Sequence, residues 1–306
     1  MVKCRLEKRL MGSDFELIVV AEDEETGNIL LNEGVAEIQR LENLLTEFKE
    51  NSQTSLLNKN AGIQGVKVDD EVYHLIKRSI NISSITQGAF DITAGALKSL
   101  YNFKNKQTAF PSQVAIQEKM NTVGYKHILL QENNSVYLEK QGMHIGFGAI
   151  GKGYAADKVK TLWKSKGVKS GVINASGDLT AWGLQPDNKP WKIGIADPMD
   201  INKILLWLPV DNASVATSGN YEQYFELNGI RYSHNIDPRT GIPARFIKSV
   251  TIISISAELS DALATAVTIM GKEVGMHFIN QLPNVHCIII DNDNRIHQSK
   301  NIDINV

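Results

Sequence analysis

The sequence predicts an α+β fold in which helices cover mixed or antiparallel sheets, and three observations predict it. Two long stretches, ETGNILLNEGVAEIQRLENLLTEF (25–48) and DEVYHLIKRSINISSITQG (70–88), carry apolar residues at helical spacing. Short runs rich in β-branched and aromatic residues are spread over the rest of the chain. The two kinds of element mix without the strict βαβ alternation that a doubly wound parallel sheet requires.

The elements follow in order. The opening MVKCRLEKRLMGSDFELIVV is charged and alternating, and contains the strand FELIVV. A secretory signal would need a continuous apolar run of about 7 to 15 residues there. The expectation for the chain as given is therefore a cytoplasmic location, or a periplasmic or lipid-anchored one if a leader was removed. Cys4 reads as a strand cysteine. The first two helices follow, the second closed by Gly88; the stretch NFKNKQTAFPSQ (102–113) reads as a surface excursion between HILL and SVYLE on one side and the second helix on the other. A third helix, YAADKVKTLWKSKG (154–167), follows Gly153, and VINAS, WKIGIA, ILLWLPV and SVATS continue as strands. ELNGIRY (226–232) is a hairpin, since Asn-Gly between β formers suits a type I′ turn. After SVTIISIS comes a fourth helix, SDALATAVTIMG (260–271), with Ser260 as N-cap and Gly271 as C′, and then the strand HCIIID. There is no internal repeat, and residues 1–306 read as a single unit.

Composition narrows the function classes. With 306 residues, 42% hydrophobic and 22% charged, the chain can bury a sizeable core. A formal net charge of −2 provides no general field for nucleic acid, and Lys158, Lys160, Lys164 and Lys166 lie along one helix rather than among aromatics. Cys4 and Cys287, without a CxxC or a His/Cys cluster, support neither a disulfide framework nor a thiolate metal site. No segment reads as inserted in a membrane.

Several turns could carry chemistry, and each also has an ordinary structural reading. GFGAIGKGYAAD (146–157) sets glycines before a helix, where backbone N–H groups can approach a phosphate, yet it meets neither dinucleotide nor P-loop spacing. GAFDIT (88–93) and NASGDLTAWG (174–183) place carboxylates and hydroxyls in tight turns, and SVATSGNY (214–221) ends a strand in small hydroxyl residues that suit a phosphate or a cap. Asp261 and Thr265 share a helix face and offer two hard oxygen donors, although an Asp at a helix N-terminus more often serves the dipole than a metal. SHNIDPRTGIP (233–243) joins ordinary turn formers to a histidine. His234 is either the last residue of its strand or a base whose ordinary pKa, about 6.5, lies near working pH.

In content and order these segments resemble the ApbE-like FAD:protein FMN transferases over nearly the whole chain. MGSDFEL is similar to the family's opening strand, LLTEFKENSQTSLLN to its first helix end and GAFDITAGAL to its flavin-contacting turn. GAIGKGYAADKV, NASGDL, VATSGNYEQYFELNGIRYSHNIDPRTG and SDALATAVTIMG are similar to its later blocks, and the SGNY and SHNIDPRTG motifs are the most specific. The resemblance implies a two-lobed, T-fold-like arrangement with FAD between the lobes. It implies Mg²⁺ held by Asp261, Thr265 and the main-chain carbonyl of Ala149, flavin contacts at Met11, Ala89, Phe90, Asp91, Lys152 and Ile236, and a base at His234. The sequence departs from the family at Gly146, usually an Asp that contacts FAD, at Phe48, often Tyr, and at Ser176, usually the first glycine of a GGD turn. Gln53 and Leu56 stand where Glu and Arg are frequent.

The activity this implies is Mg²⁺-dependent transfer of FMN from FAD to a threonine or serine hydroxyl of an acceptor flavoprotein, with AMP released. Two other readings use the same residues: a FAD pyrophosphatase, with water in place of the hydroxyl, and a FAD-binding protein without catalysis.

Overall fold

The computed structural model describes residues 1–103, 109–197, 200–219, 223–300 and 302, so part of the excursion at 102–113 and Asn220–Tyr221 of the SGNY motif lie outside the described residues. The chain opens with β1 (Val2–Leu10), β2 (Ser13–Ala21), α1 (Glu24–Leu45), α2 (Gln53–Lys59), β3 (Val66–Lys67) and α3 (Asp70–Ile85). A 3-10 turn at Ala94–Leu100 precedes α4 (Gln113–Met120), β4 (Ile128–Leu130), β5 (Ser135–Leu138) and α5 (Gly151–Ser165). Strands β6 (Gly171–Ala175), β7 (Asp178–Trp182), β8 (Trp191–Asp197), β9 (Asp200–Val210), β10 (Ala213–Gly219), β11 (Tyr224–Leu227), β12 (Ile230–Ser233) and β13 (Ile247–Ser254) follow. The chain closes with α6 (Ala257–Met270), α7 (Lys272–Ile279), β14 (His286–Asp291) and β15 (Ile296–Gln298).

Eight strands form one sheet in the order β1-β2-β6-β7-β10-β13-β14-β15, and every pairing in it is antiparallel. Alternation along β2 shows how its two faces are used. Phe15, Leu17, Val19 and Ala21 join the core that contains Leu31, Ile38 and Leu41 of α1 and Val159 and Trp163 of α5. Ile18 and Val20 point the other way, into a second cluster with Trp191, Ile193 and Val210 of the β8–β9 ribbon. Strand β7 is buried at all five positions because it is covered on both sides. That is why its sequence shows no period of two and reads as a turn. The larger core continues into Val68, Leu75, Ile128, Val136 and Leu138, so the small sheet β3-β5-β4 and α3 share one apolar interior with the large sheet.

Four helices differ in their bounds from the sequence expectation. Helix α3 ends at Ile85, short of residue 88, because Gly88 (φ 79°) turns the chain and donates its N–H back to the Ser83 carbonyl at 2.8 Å. Helix α1 stops at Leu45 instead of residue 48, since Thr46 is extended (ψ 140°) and the buried Thr54 hydroxyl donates to the Leu45 carbonyl at 2.9 Å. Helix α5 begins at Gly151, ahead of the expected residue 154, because its glycine-containing first turn packs against α6. Helix α6 begins at Ala257, so Ser260 is not its cap: Ser256 accepts from Leu259 N–H at 3.2 Å, and Ser260 is buried with its hydroxyl 2.9 Å from that of Ser254. The cap is completed from another helix. Asp157 of α5 accepts the Ala257 and Glu258 N–H groups, both at 3.0 Å, satisfying donors that a helix start otherwise leaves open. No helix among the described residues is long and apolar enough to cross a membrane.

Candidate active site

The SHNIDPRTGIP turn is rigid for local reasons. Asp237 accepts from Arg239 through both backbone N–H (2.9 Å) and guanidinium (2.8 Å), while Gly241 N–H closes onto the Asp237 carbonyl at 2.7 Å. Ile236 bridges Pro243, and Ser233 and Asn235 exchange 2.8 Å hydrogen bonds with Ala244. Beneath the turn the cross-strand pair Phe225 and Tyr232 stacks at 5.1 Å, and Tyr101 donates its hydroxyl to the Gly241 carbonyl at 2.7 Å. His234 is thereby held at a fixed place. Its Nδ1 lies 3.2 Å from the Gln223 carbonyl, which can only accept, so Nδ1 carries the proton and Nε2 is the basic nitrogen. Burial, then the positive charges of Lys98 and Lys152, hold the imidazole pKa below 6.5.

His234 lines a cavity of about 160 Å³ together with Ala89, Phe90, Asp91, Lys152, Ile236, Ala149, Asp261 and Thr265. Every candidate residue except Met11 is in that wall. Met11 sits in the β1–β2 turn at φ 49°, with its Cε beside Gly151. The Asp91 carboxylate is committed to its own turn: it accepts from the Thr93 N–H (2.8 Å) and hydroxyl (2.7 Å) and from Tyr125 N–H at 2.7 Å. Burial raises its pKa against those bonds. The Lys152 ammonium donates to Asp178, whose carboxyl is raised by burial and drawn back by Lys152.

Asp261 serves packing as well as the cavity wall. It is 6% exposed, and its Oδ2 accepts the Gly153 N–H at 3.1 Å, tying α6 to the first turn of α5. Thr265 follows one turn later, on the same face. Among the described residues no group of three His, Cys, Asp or Glu side chains could enclose a metal. Asp261, Thr265 and Ala149 all line the cavity, and a carboxylate, a hydroxyl and a main-chain carbonyl from these three would suit an ion that completes its shell with water and phosphate oxygens, which is the habit of Mg²⁺.

The cavity also holds Glu47 and Lys98, which sequence reasoning did not single out, and Thr217, Ser218 and Asn235, which it saw only within the SVATSGNY and SHNIDPRTGIP motifs. Asn235 donates to the Ser218 hydroxyl at 2.9 Å, joining the end of β10 to the His234 turn. Asp178 was visible only as part of a turn motif. Of the departures, Phe48 is 88% exposed and outside the wall, Gln53 accepts the Asp69 N–H at 2.8 Å, and Ser176 adopts φ 58° in the β6–β7 turn.

The chain matches the sequence model of the ApbE family over residues 11–289. It is 32% identical to the FAD:protein FMN transferase of Treponema pallidum over 281 residues, 87% of this chain and 78% of that one. The crystal structure of the ApbE protein of Thermotoga maritima superposes with a TM-score of 0.89 at 31% identity, covering 98% of this chain and 97% of that one. The apo form of the Pseudomonas stutzeri flavinyl transferase ApbE gives a TM-score of 0.86 at 27% identity, covering 98% and 95%. Fold and sequence converge on one class, the flavin-transferase architecture. The chain belongs to the ApbE family.

Proposed function

We propose that this chain is a FAD:protein FMN transferase: FAD occupies the cavity, and FMN passes to a threonine or serine hydroxyl of an acceptor flavoprotein as AMP leaves. The observation that carries this reading is the meeting, on one cavity wall, of the His234 imidazole with the oxygen-bearing residues Asp261, Thr265 and Ala149. His234 Nε2 takes the proton of the acceptor hydroxyl. The hydroxyl oxygen then bonds to the phosphorus of the FMN half, the bridging P–O bond breaks, and its electron pair leaves on AMP. Asp261, Thr265 and the Ala149 carbonyl would hold Mg²⁺, which when bound neutralises charge on the pyrophosphate. Lys98 and Lys152 add positive potential on the same wall, and the Asp178 carboxylate holds the Lys152 ammonium in place.

Asp261→Asn tests the metal. The amide oxygen can still accept from Gly153, so the α5–α6 contact survives while the charge is lost; an alanine would leave that N–H without its partner, at about 1 to 3 kcal/mol. The expected result is AMP release reduced by roughly 10² at fixed Mg²⁺, a scale typical of losing one preorganised charge in a site, with an unchanged melting temperature. Turnover that persists in chelator would overturn the metal assignment. AMP formed as fast without acceptor protein as with it would identify the reaction as hydrolysis.

A further inference from the structure

Glu47 presents a carboxylate to the cavity that the chemistry above does not use. It follows the end of α1, with its main-chain carbonyl accepting the Ser55 hydroxyl at 3.1 Å. Its Oε2 lies 2.7 Å from His144 Nε2. The His144–Gly146 segment is itself clamped: Asn58 donates to the Ile145 carbonyl at 3.0 Å and accepts its N–H at 2.8 Å, and Gly146 N–H donates to Ile92 at 2.9 Å. A Cβ placed on Gly146 would stand 2.8 Å from Glu47 Oε2 and 3.5 Å from its Cδ. The backbone at Gly146 is not in the left-handed region, so its conformation does not call for glycine. What fills the side-chain space is the Glu47 carboxylate. Where the sequence departs from its resemblance by lacking a carboxylate at 146, the fold brings one from a distant part of the chain.

We infer that Glu47 is the ligand-positioning carboxylate of this wall, standing in for a side chain at 146 and accepting a hydrogen bond from a neutral O–H or N–H donor of FAD. The inference rests on FAD being the ligand, as proposed above. A carboxylate repels the pyrophosphate, so its partner is a ribose or ribityl hydroxyl or a ring N–H. His144 holds Oε2, and no described residue donates to Oε1, which is left for the ligand.

Two consequences separate this role from a structural one. Gly146→Asp alone would press a second carboxylate against Glu47 and weaken FAD binding. The same change in a Glu47→Ala background would restore one carboxylate to the wall. Flavin fluorescence quenching in chelator gives the affinities, and thermal melting shows whether each variant is folded. Glu47→Gln is expected to weaken FAD about 10- to 100-fold, the scale of a hydrogen bond to a charged group, with an unchanged melt. Glu47→Ala with Gly146→Asp is expected to bind within about 3-fold of wild type, a residual set by the imperfect match of the two geometries. Parallel titrations with ADP and riboflavin identify which half of FAD carries the donor, since only that half loses affinity in Glu47→Gln. Wild-type binding retained in Glu47→Gln, or a double variant no better than Glu47→Ala alone, would overturn the assignment. A wild-type protein that does not bind FAD would overturn the transferase reading, and this assignment with it.

Discussion

Gly153→Ala is expected to destabilise the protein by about 3 kcal/mol, at the upper end of the range for overpacking. The added methyl would stand 2.1 Å from the Ala257 carbonyl oxygen, 2.5 Å from its carbon and 2.8 Å from Glu258 N. These are backbone atoms at the start of α6, so no side-chain rotation relieves the clash and the helices must separate. Helix propensity predicts the opposite sign, since alanine inside a helix is favoured over glycine by about 1 kcal/mol. A thermal melt therefore decides between local preference and packing. Gly148→Ala serves as the control: nothing lies within 4 Å of its added Cβ, and a change within about 0.5 kcal/mol is expected. Separation of α5 from α6 would also break the 3.1 Å bond between Gly153 N–H and Asp261 and pull that carboxylate from the wall. Equal stability of Gly153→Ala and wild type would mean that the helices do not cross so closely.

His234→Ala is expected to reduce FMN transfer by roughly 10² to 10⁴ while leaving FAD affinity near that of wild type, the signature of a lost general base. The turn that shapes this part of the cavity is held by Asp237, Arg239 and the aromatic cluster under it, none of which needs the imidazole. The pH dependence carries the sign. Because burial and the two lysines lower the His234 pKa, neutral imidazole predominates at pH 7, and the rate should be level there and fall only below pH 6.5. Lys98→Met removes one of those charges and should move the acid limb upward. The same shift affects stability: as pH falls through the ordinary histidine range the unfolded chain takes up the proton first, so acidification destabilises the folded wild type and does so less in His234→Ala. Single-turnover transfer at saturating FAD, across pH, is the measurement. An acid limb centred above pH 6.5, or unchanged transfer in a folded, FAD-saturated variant, would remove His234 from the base role.

Features with local causes can be read from the chain alone. Helical spacing marks the helices expected over 25–48 and 70–88, which the structure ends at Leu45 and Ile85; Asn-Gly forms the β11–β12 hairpin, and the Asp-Pro-Arg-Thr-Gly turn closes on its own side chains, so each element was legible from neighbours in the chain. The pairing of Asp261 with Thr265 was legible for the same reason, since one helix turn separates them. The short helices α2, α4 and α7 were not, because seven or eight residues carry too few repeats to show a period.

The remaining features depend on contacts between parts of the chain that are far apart. Strand β7 lost its alternation because the fold covers both its faces, and α6 found its cap in Asp157 of another helix rather than in Ser260. Gly153 stands where two backbones meet, and the carboxylate beside Gly146 arrives from Glu47, a residue that follows a different helix. In each case the deciding partner is far away in the chain. A requirement for space, charge or a hydrogen-bond acceptor leaves its mark on whichever residue comes to lie there, and that residue is known only when the chain has folded.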